Sequence, residues 1–178
     1  MRGVMAEDTI ARAARFRVPI GFVFGALALW LAQPTIRTLA VGTTIACLGE
    51  ALRIWAAGHI EKSREVTTSG PYKWFAHPLY VGSSVMGLGL AVAANSAAVG
   101  VFIAVYLGVT ILVAITAEEA HLRRKFGEEY DRYRRGLSTR APDDAARRFG
   151  LAQAIRNREY RAMIGLLLVV TLLLLKSL

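Results

Sequence analysis

Cysteine is almost absent. The single thiol, Cys47, falls inside an apolar run, which excludes a disulfide framework and a cysteine-ligated metal site. Acidic residues are scarce beside basic ones, 13 against 22, leaving a formal charge of +9. Internal repeats and low-complexity linkers are missing too, so the 178 residues are read as one domain. The segment Met1–Arg17 sets Arg2, Arg12, Arg15 and Arg17 against Glu7 and Asp8. It lacks a separate apolar core followed by a small-residue cleavage site, so no cleavable signal peptide is expected. Hydrophobic residues, by contrast, are abundant: they make up 54% of the chain, with a mean hydropathy of +0.41. They gather in long runs with the basic residues between them. That pattern belongs to a multispan helical membrane protein and excludes a soluble nucleic-acid binder.

Taken in order, Val18–Ala32 is a first span of fifteen residues, with Trp30 near its far end and Pro34 ending it. It reaches only about 22 Å against a hydrocarbon core of roughly 30 Å, so flanking residues must help it cross. A second segment runs from about Thr38 to His59 and is apolar except for Thr43, Thr44, Glu50 and Arg53. Leu79–Ala94 makes a third, in which Gly82, Gly87 and Gly89 allow close helix approach. Asn95-Ser96 is a very short connection, so the third segment and the fourth, Ala97–Ala117, form a tight antiparallel hairpin. Next, Leu122, Phe126, Tyr130, Tyr133 and Leu137 draw one apolar stripe on a charged segment, which predicts an amphipathic helix lying at the membrane surface. Ser138–Phe149 reads as loop, with Pro142 as a break. The tail from Leu151 reads as helix, basic through Arg161 and then apolar over Ala162–Leu175. Fourteen residues are short for a span. This tail is either the end of one long helix entering the membrane or an anchor packed on the bundle or on a second copy.

Lys and Arg set the orientation. The N-terminal arm, the 60–78 loop and the 118–161 segment are basic, whereas the connections near Pro34 and Asn95 hold only Arg37. The positive-inside rule therefore puts the first group on the cytoplasmic face. The expected architecture is an all-α, polytopic membrane helix bundle with about four core spans over 18–137. A cytoplasmic-face amphipathic helix and a C-terminal hydrophobic helix (151–176, a candidate fifth span) complete it. The N-terminus is expected in the cytoplasm, and a bacterial inner membrane is the expected location.

Chemistry-bearing residues concentrate in Gly70-Pro71-Tyr72-Lys73-Trp74-Phe75-Ala76-His77-Pro78-Leu79-Tyr80-Val81-Gly82. Each proline fixes its own φ and pushes its predecessor, Gly70 or His77, out of the α region, so a rigid, bent loop is expected. Such a loop either presents Tyr72, His77 and Tyr80 in fixed directions or serves as a plain turn with aromatics at the membrane surface. Glu50 and Arg53 are three apart on one helix face and can pair. Ionisable residues within a span are functional candidates. Glu50 reads mainly as a structural partner, while Arg53 reads equally as a partner or as a clamp for an anionic group. Glu118 and Glu119 emerge where a span leaves the hydrocarbon, where an unpaired carboxylate is costly.

Gly-Pro-Tyr at 70–72, His-Pro-x-Tyr-x-Gly at 77–82 and Glu-Glu-x-x-Leu-x-x-x-Phe-Gly-x-x-Tyr at 118–130 resemble the isoprenylcysteine carboxyl methyltransferases and their relatives, the phospholipid N-methyltransferases. The resemblance covers roughly Leu52–Tyr133. One departure is Ala76, where those proteins usually have Arg before the His-Pro; Lys73 is a candidate substitute. The resemblance implies an integral membrane enzyme that takes S-adenosylmethionine from the cytosol and methylates a lipid-like or prenyl-type acceptor from the bilayer. Tyr72, Lys73, His77, Pro78, Tyr80, Gly82 and Glu119 become cofactor-binding candidates, and Arg53, Glu118 and Arg124 catalytic ones; no metal is implied. His77, Tyr72 and Tyr80 are expected to donate to the cofactor carboxylate, helped by amides near Tyr80–Gly82, and Glu119 to accept from its ammonium. A carboxylate acceptor needs no base, with Arg53 or Arg124 to hold it; a protonated amine needs one, with Glu118 or His121 available. The tail is expected to supply only packing or a homodimer contact. A nicotinamide-dependent sterol-type reductase and a non-catalytic membrane scaffold are the competing readings.

Overall fold

The computed structural model describes residues 21, 23–61, 67, 69–135 and 148–178. Those residues form an all-α membrane bundle. The first span is helical at residue 21 and over 23–31 (α1). Pro34 separates it from α2 (Ile36–Ala57), whose start is fixed by a reciprocal cap. The Thr38 amide donates to the Thr35 hydroxyl at 3.2 Å, and the Thr35 amide donates back to Thr38 at 3.0 Å. A 3-10 turn, Gly70–Lys73, leads to α3 (Pro78–Ala94) and then α4 (Ala97–Phe126). Three short or terminal helices follow: α5 (Glu128–Arg134), α6 (Leu151–Arg156) and α7 (Tyr160–Ser177). By length and composition α2, α4 and α7 can each cross a membrane, and α3 is a shorter apolar helix.

The bundle is organised by the α2–α3 seam. Gly42, Ala46 and Gly49 on α2 face Gly82, Met86, Gly89 and Ala93 on the antiparallel α3. A Cβ added at Gly42 would lie 2.5 Å from the Gly89 carbonyl oxygen, and one at Gly49 would lie 2.6 Å from that of Gly82. The two backbones therefore touch, as small residues permit between helices in lipid, where dispersion rather than water exclusion drives packing. The α3 glycines were legible in advance; their α2 partners were not.

At one end of the bundle the two short turns are tied together. Asn95, in the left-handed conformation, caps α3, and its side-chain amide donates to Gln33 O at 3.0 Å, while Gln33 N donates to Ala94 O at 2.8 Å. The apolar core of Ala32, Leu39, Ala93, Ala94, Val99 and Leu173 lies at this end. Lys176 reaches the same end from α7 and donates to the carbonyls of Leu29 (2.7 Å) and Trp30 (2.6 Å), covering the otherwise open C-terminus of α1.

Two expected elements differ in form. The fourth span continues without a break to Phe126, about 45 Å in all. The amphipathic stripe is thus split at Gly127 (φ +51°): Leu122 and Phe126 extend the span, and Tyr130 sits on the separate α5, where it is buried. Leu137 lies outside the described residues. The tail is likewise two helices, because Arg158 adopts a left-handed backbone (φ +62°) between α6 and α7. The Met1–Arg17 arm and nearly all of Ser138–Phe149 lie outside the described residues as well.

Candidate functional site

The other end of the bundle is polar. Gly70 holds φ +55° with its α-carbon against the His59 ring, where a Cβ would come within 2.7 Å; only glycine fits both demands. His77 stands outside the helical region (φ −134°, ψ 64°), as a residue before proline must, and Pro78 opens α3. The loop is bent as its prolines imply, and it aims His77 at α4. The His77 Nε2 lies 3.4 Å from Glu119 Oε1, and Nδ1 lies 3.7 Å from Glu118 Oε2. Because α4 runs unbroken past the apolar region, both carboxylates are carried on a continuous helix rather than on a loop. The hydrogen bond with Glu118, with Glu119 assisting and burial opposing, raises the pKa of His77 above its ordinary 6.5. Tyr80 lies beside the His77 ring, tilted 40° to it at 5.8 Å between centroids, and hydrogen-bonds Glu118.

Arg53 and Glu50 pair as their spacing predicts, Nε to Oε2 at 3.4 Å. The guanidinium has two further partners that sequence reasoning missed, the Ser83 hydroxyl on α3 and the Glu159 carboxylate at the start of α7. Glu159 is only 6% exposed. It arrives there because the tail is bonded to the end of α2. Gly150 N donates to Gly58 O at 3.1 Å, the Gln153 amide to Ile60 O at 2.8 Å, and the Asn157 amide to Ala57 O at 2.7 Å and Ile60 O at 3.0 Å. The Asn157 bond satisfies a carbonyl that the end of α2 leaves open, and the others fix the segment just past it. One signal for Glu159 was available: it is the lone acid between Phe149 and Leu178, set three residues before the apolar run that starts at Ala162.

Arg53, Tyr72, His77, Tyr80 and Glu118 line one cavity of about 330 Å³, together with Ile60, Ala76, Leu79 and Glu159. Glu119 joins through His77. The remaining candidates sit elsewhere. Gly82 belongs to the α2–α3 seam, where its missing side chain admits the stem of Arg53. Pro78 is buried as the first residue of α3. Lys73 and Arg124 are exposed and do not line the cavity, and His121 is exposed on α4. The amides of Tyr80 and Val81 both donate to His77 O, at 3.1 and 3.2 Å, so these two expected ligand donors are committed within the chain. His77 itself faces glutamates with both ring nitrogens.

Residues 22–129 match the phospholipid methyltransferase family. The chain belongs to that family. The matched stretch holds every cavity-lining residue except Glu159. Among characterised proteins, this family member is 32% identical over 108 residues to the nickel-cobalt-cadmium resistance protein NccN of Alcaligenes xylosoxydans xylosoxydans, covering 60% of this chain and 49% of that protein. It is also 32% identical over 134 residues to the cobalt-zinc-cadmium resistance protein CzcN of Cupriavidus metallidurans, covering 68% of this chain and 60% of that protein. The chain thus spans about half to three-fifths of the length of these relatives. No solved structure matches it.

Proposed function

We propose that this phospholipid methyltransferase family member transfers a methyl group from S-adenosylmethionine to a lipid-like acceptor that enters from the bilayer at the cytoplasmic face. The observation that carries the proposal is the polar cavity at one end of apolar helices, lined by Tyr72, His77, Tyr80 and Glu118 with Glu119 behind His77. The donor set suits such a cofactor. Glu119 offers a carboxylate to its ammonium, and the Tyr72 and Tyr80 phenols can donate to its carboxylate. When bound, the cofactor supplies a methyl group on a sulfonium that leaves as a neutral thioether. Methyl transfer is an in-line displacement, so the chain contributes chiefly by fixing positions. His77 does this by holding two carboxylates of α4 against the loop. The loop's exposed Trp74 and Phe75, with Trp55 beside Trp74 at 5.8 Å, suit the bilayer–water interface and would set the depth of the cavity mouth.

The family match supports this reading over a reductase or a scaffold. The names of the relatives attach them to metal resistance. Among the described residues no group of three or more His, Cys, Asp or Glu side chains is arranged to hold a metal ion. Purified protein incubated with methyl-labelled S-adenosylmethionine and a bacterial lipid extract should move label into the organic phase. Glu119→Gln should lose most of that transfer, and label remaining wholly in the aqueous phase for the native chain would refute the proposal.

A further inference from the structure

The family match ends at residue 129, yet the cavity is closed by a residue thirty positions beyond it. Glu159 is placed there by construction: three donors of the tail bond the carbonyls of Ala57, Gly58 and Ile60 at and just past the end of α2, and the left-handed Arg158 then turns the chain inward. On arrival it takes one edge of the Arg53 guanidinium, while Glu50 takes another and Ser83 a third position. Arg53 is the lone Arg or Lys among the described residues lining the cavity. A guanidinium already flanked by two carboxylates has little positive potential left for a third anion. Two buried carboxylates, Glu50 at 4% and Glu159 at 6% exposed, thus share this one guanidinium, and of the two only Glu159 lines the cavity. Ala76, also on the wall, adds no charge.

We propose that Glu159, supplied by the C-terminal helix, is a specificity-determining residue that works through Arg53. By occupying the guanidinium together with Glu50, it withdraws the positive charge that would fix an anionic acceptor and leaves the cavity selective for an acceptor bearing a cationic amine. The inference rests on the methyltransferase reading above. In such a transfer the ammonium first gives a proton to the Glu118 carboxylate. The neutral nitrogen then forms the new C–N bond as the methyl C–S bond breaks with its electron pair passing to sulfur. The expectation that Arg53 clamps an anion is replaced by one in which it is a held, internal cation.

The test uses the full chain in neutral maltoside micelles, titrated calorimetrically with dodecylammonium and with dodecanoate, blank micelles subtracted. The native chain should bind dodecylammonium at least tenfold more tightly than dodecanoate. Glu159→Gln should reduce that ratio at least fivefold, and Glu159→Asp should restore it, whereas a purely structural role would move both affinities together. Equal affinities, or a preference for dodecanoate, in the native chain overturn the inference without needing any variant to fold. S-adenosylmethionine titrated into the same samples separates the two levels. Cofactor binding without amine preference removes only the role of Glu159, and absence of cofactor binding removes the methyltransferase reading and this inference with it.

Discussion

His77 is the residue on which the site's geometry turns, and its ionisation has a measurable consequence. Its folded pKa is raised, chiefly by the hydrogen bond with Glu118, so the protonated ring stabilises the fold. The sign follows from linkage: the stabilisation is fully present below the ordinary value of 6.5 and is lost as pH rises through the raised folded value. The melting-temperature gap between the native chain and His77→Gln should therefore be widest at mildly acidic pH and should narrow as pH increases. A gap that stays constant, or that widens with pH, contradicts a protonated His77 between the glutamates. His77, Tyr72, Tyr80, Glu118 and Glu119 were legible because each lies in a short motif whose spacing survives folding. Glu159 was not, because its meaning depends on contact with Arg53 across more than a hundred residues, and nothing in local spacing reports such a pairing.

At the scale of elements, the α2–α3 seam holds Arg53 and the loop in register. Gly49→Ala puts a Cβ against the Gly82 carbonyl oxygen at 2.6 Å, which only backbone movement can relieve. A loss of about 1–3 kcal/mol, the range for overpacking, is expected as a lowered unfolding temperature in detergent. Gly108→Ala on α4 meets nothing within 4 Å and should be neutral or mildly stabilising. Equal effects at the two positions would mean that the seam is not close-packed. Helix existence was legible from hydrophobic runs, but two boundaries were not. The run of charges after Ala117 resembles the end of a span, yet a helix needs no apolar side chains to continue, and Gly127 rather than Glu118 stops it. In the tail, the break comes from the backbone of Arg158, a residue with no special liking for turns. Tertiary bonds from Gln153 and Asn157 override its preference.

For the whole molecule, the described helices place His77, Glu119 and Glu159 at one end and Asn95, Gln33 and Lys176 at the other. From the positive-inside rule we propose that the first end faces the cytoplasm. With Cys47 replaced, a cysteine introduced at Ser69 should be labelled by an impermeant reagent from the cytoplasmic side only, and cysteines at Asn95 and Ser177 from the opposite side only. Ser177 labelled together with Ser69 would mean that α7 does not cross. The tail helix still presents Leu167, Leu168, Leu174 and Leu175 outward, faces suited to lipid, and we propose them also as the surface for any homodimer contact.

The central claim is that the His77 end of the bundle is a cofactor site, and calorimetric titration of the purified chain with S-adenosylmethionine tests it most directly. The native protein should bind. His77→Ala and Glu119→Ala should each bind at least tenfold more weakly, about 1.4 kcal/mol, as expected for loss of a charge-assisted hydrogen bond or of the group that positions it. Binding of NADPH in place of S-adenosylmethionine, or unchanged affinity in both variants with the fold intact, would contradict the account.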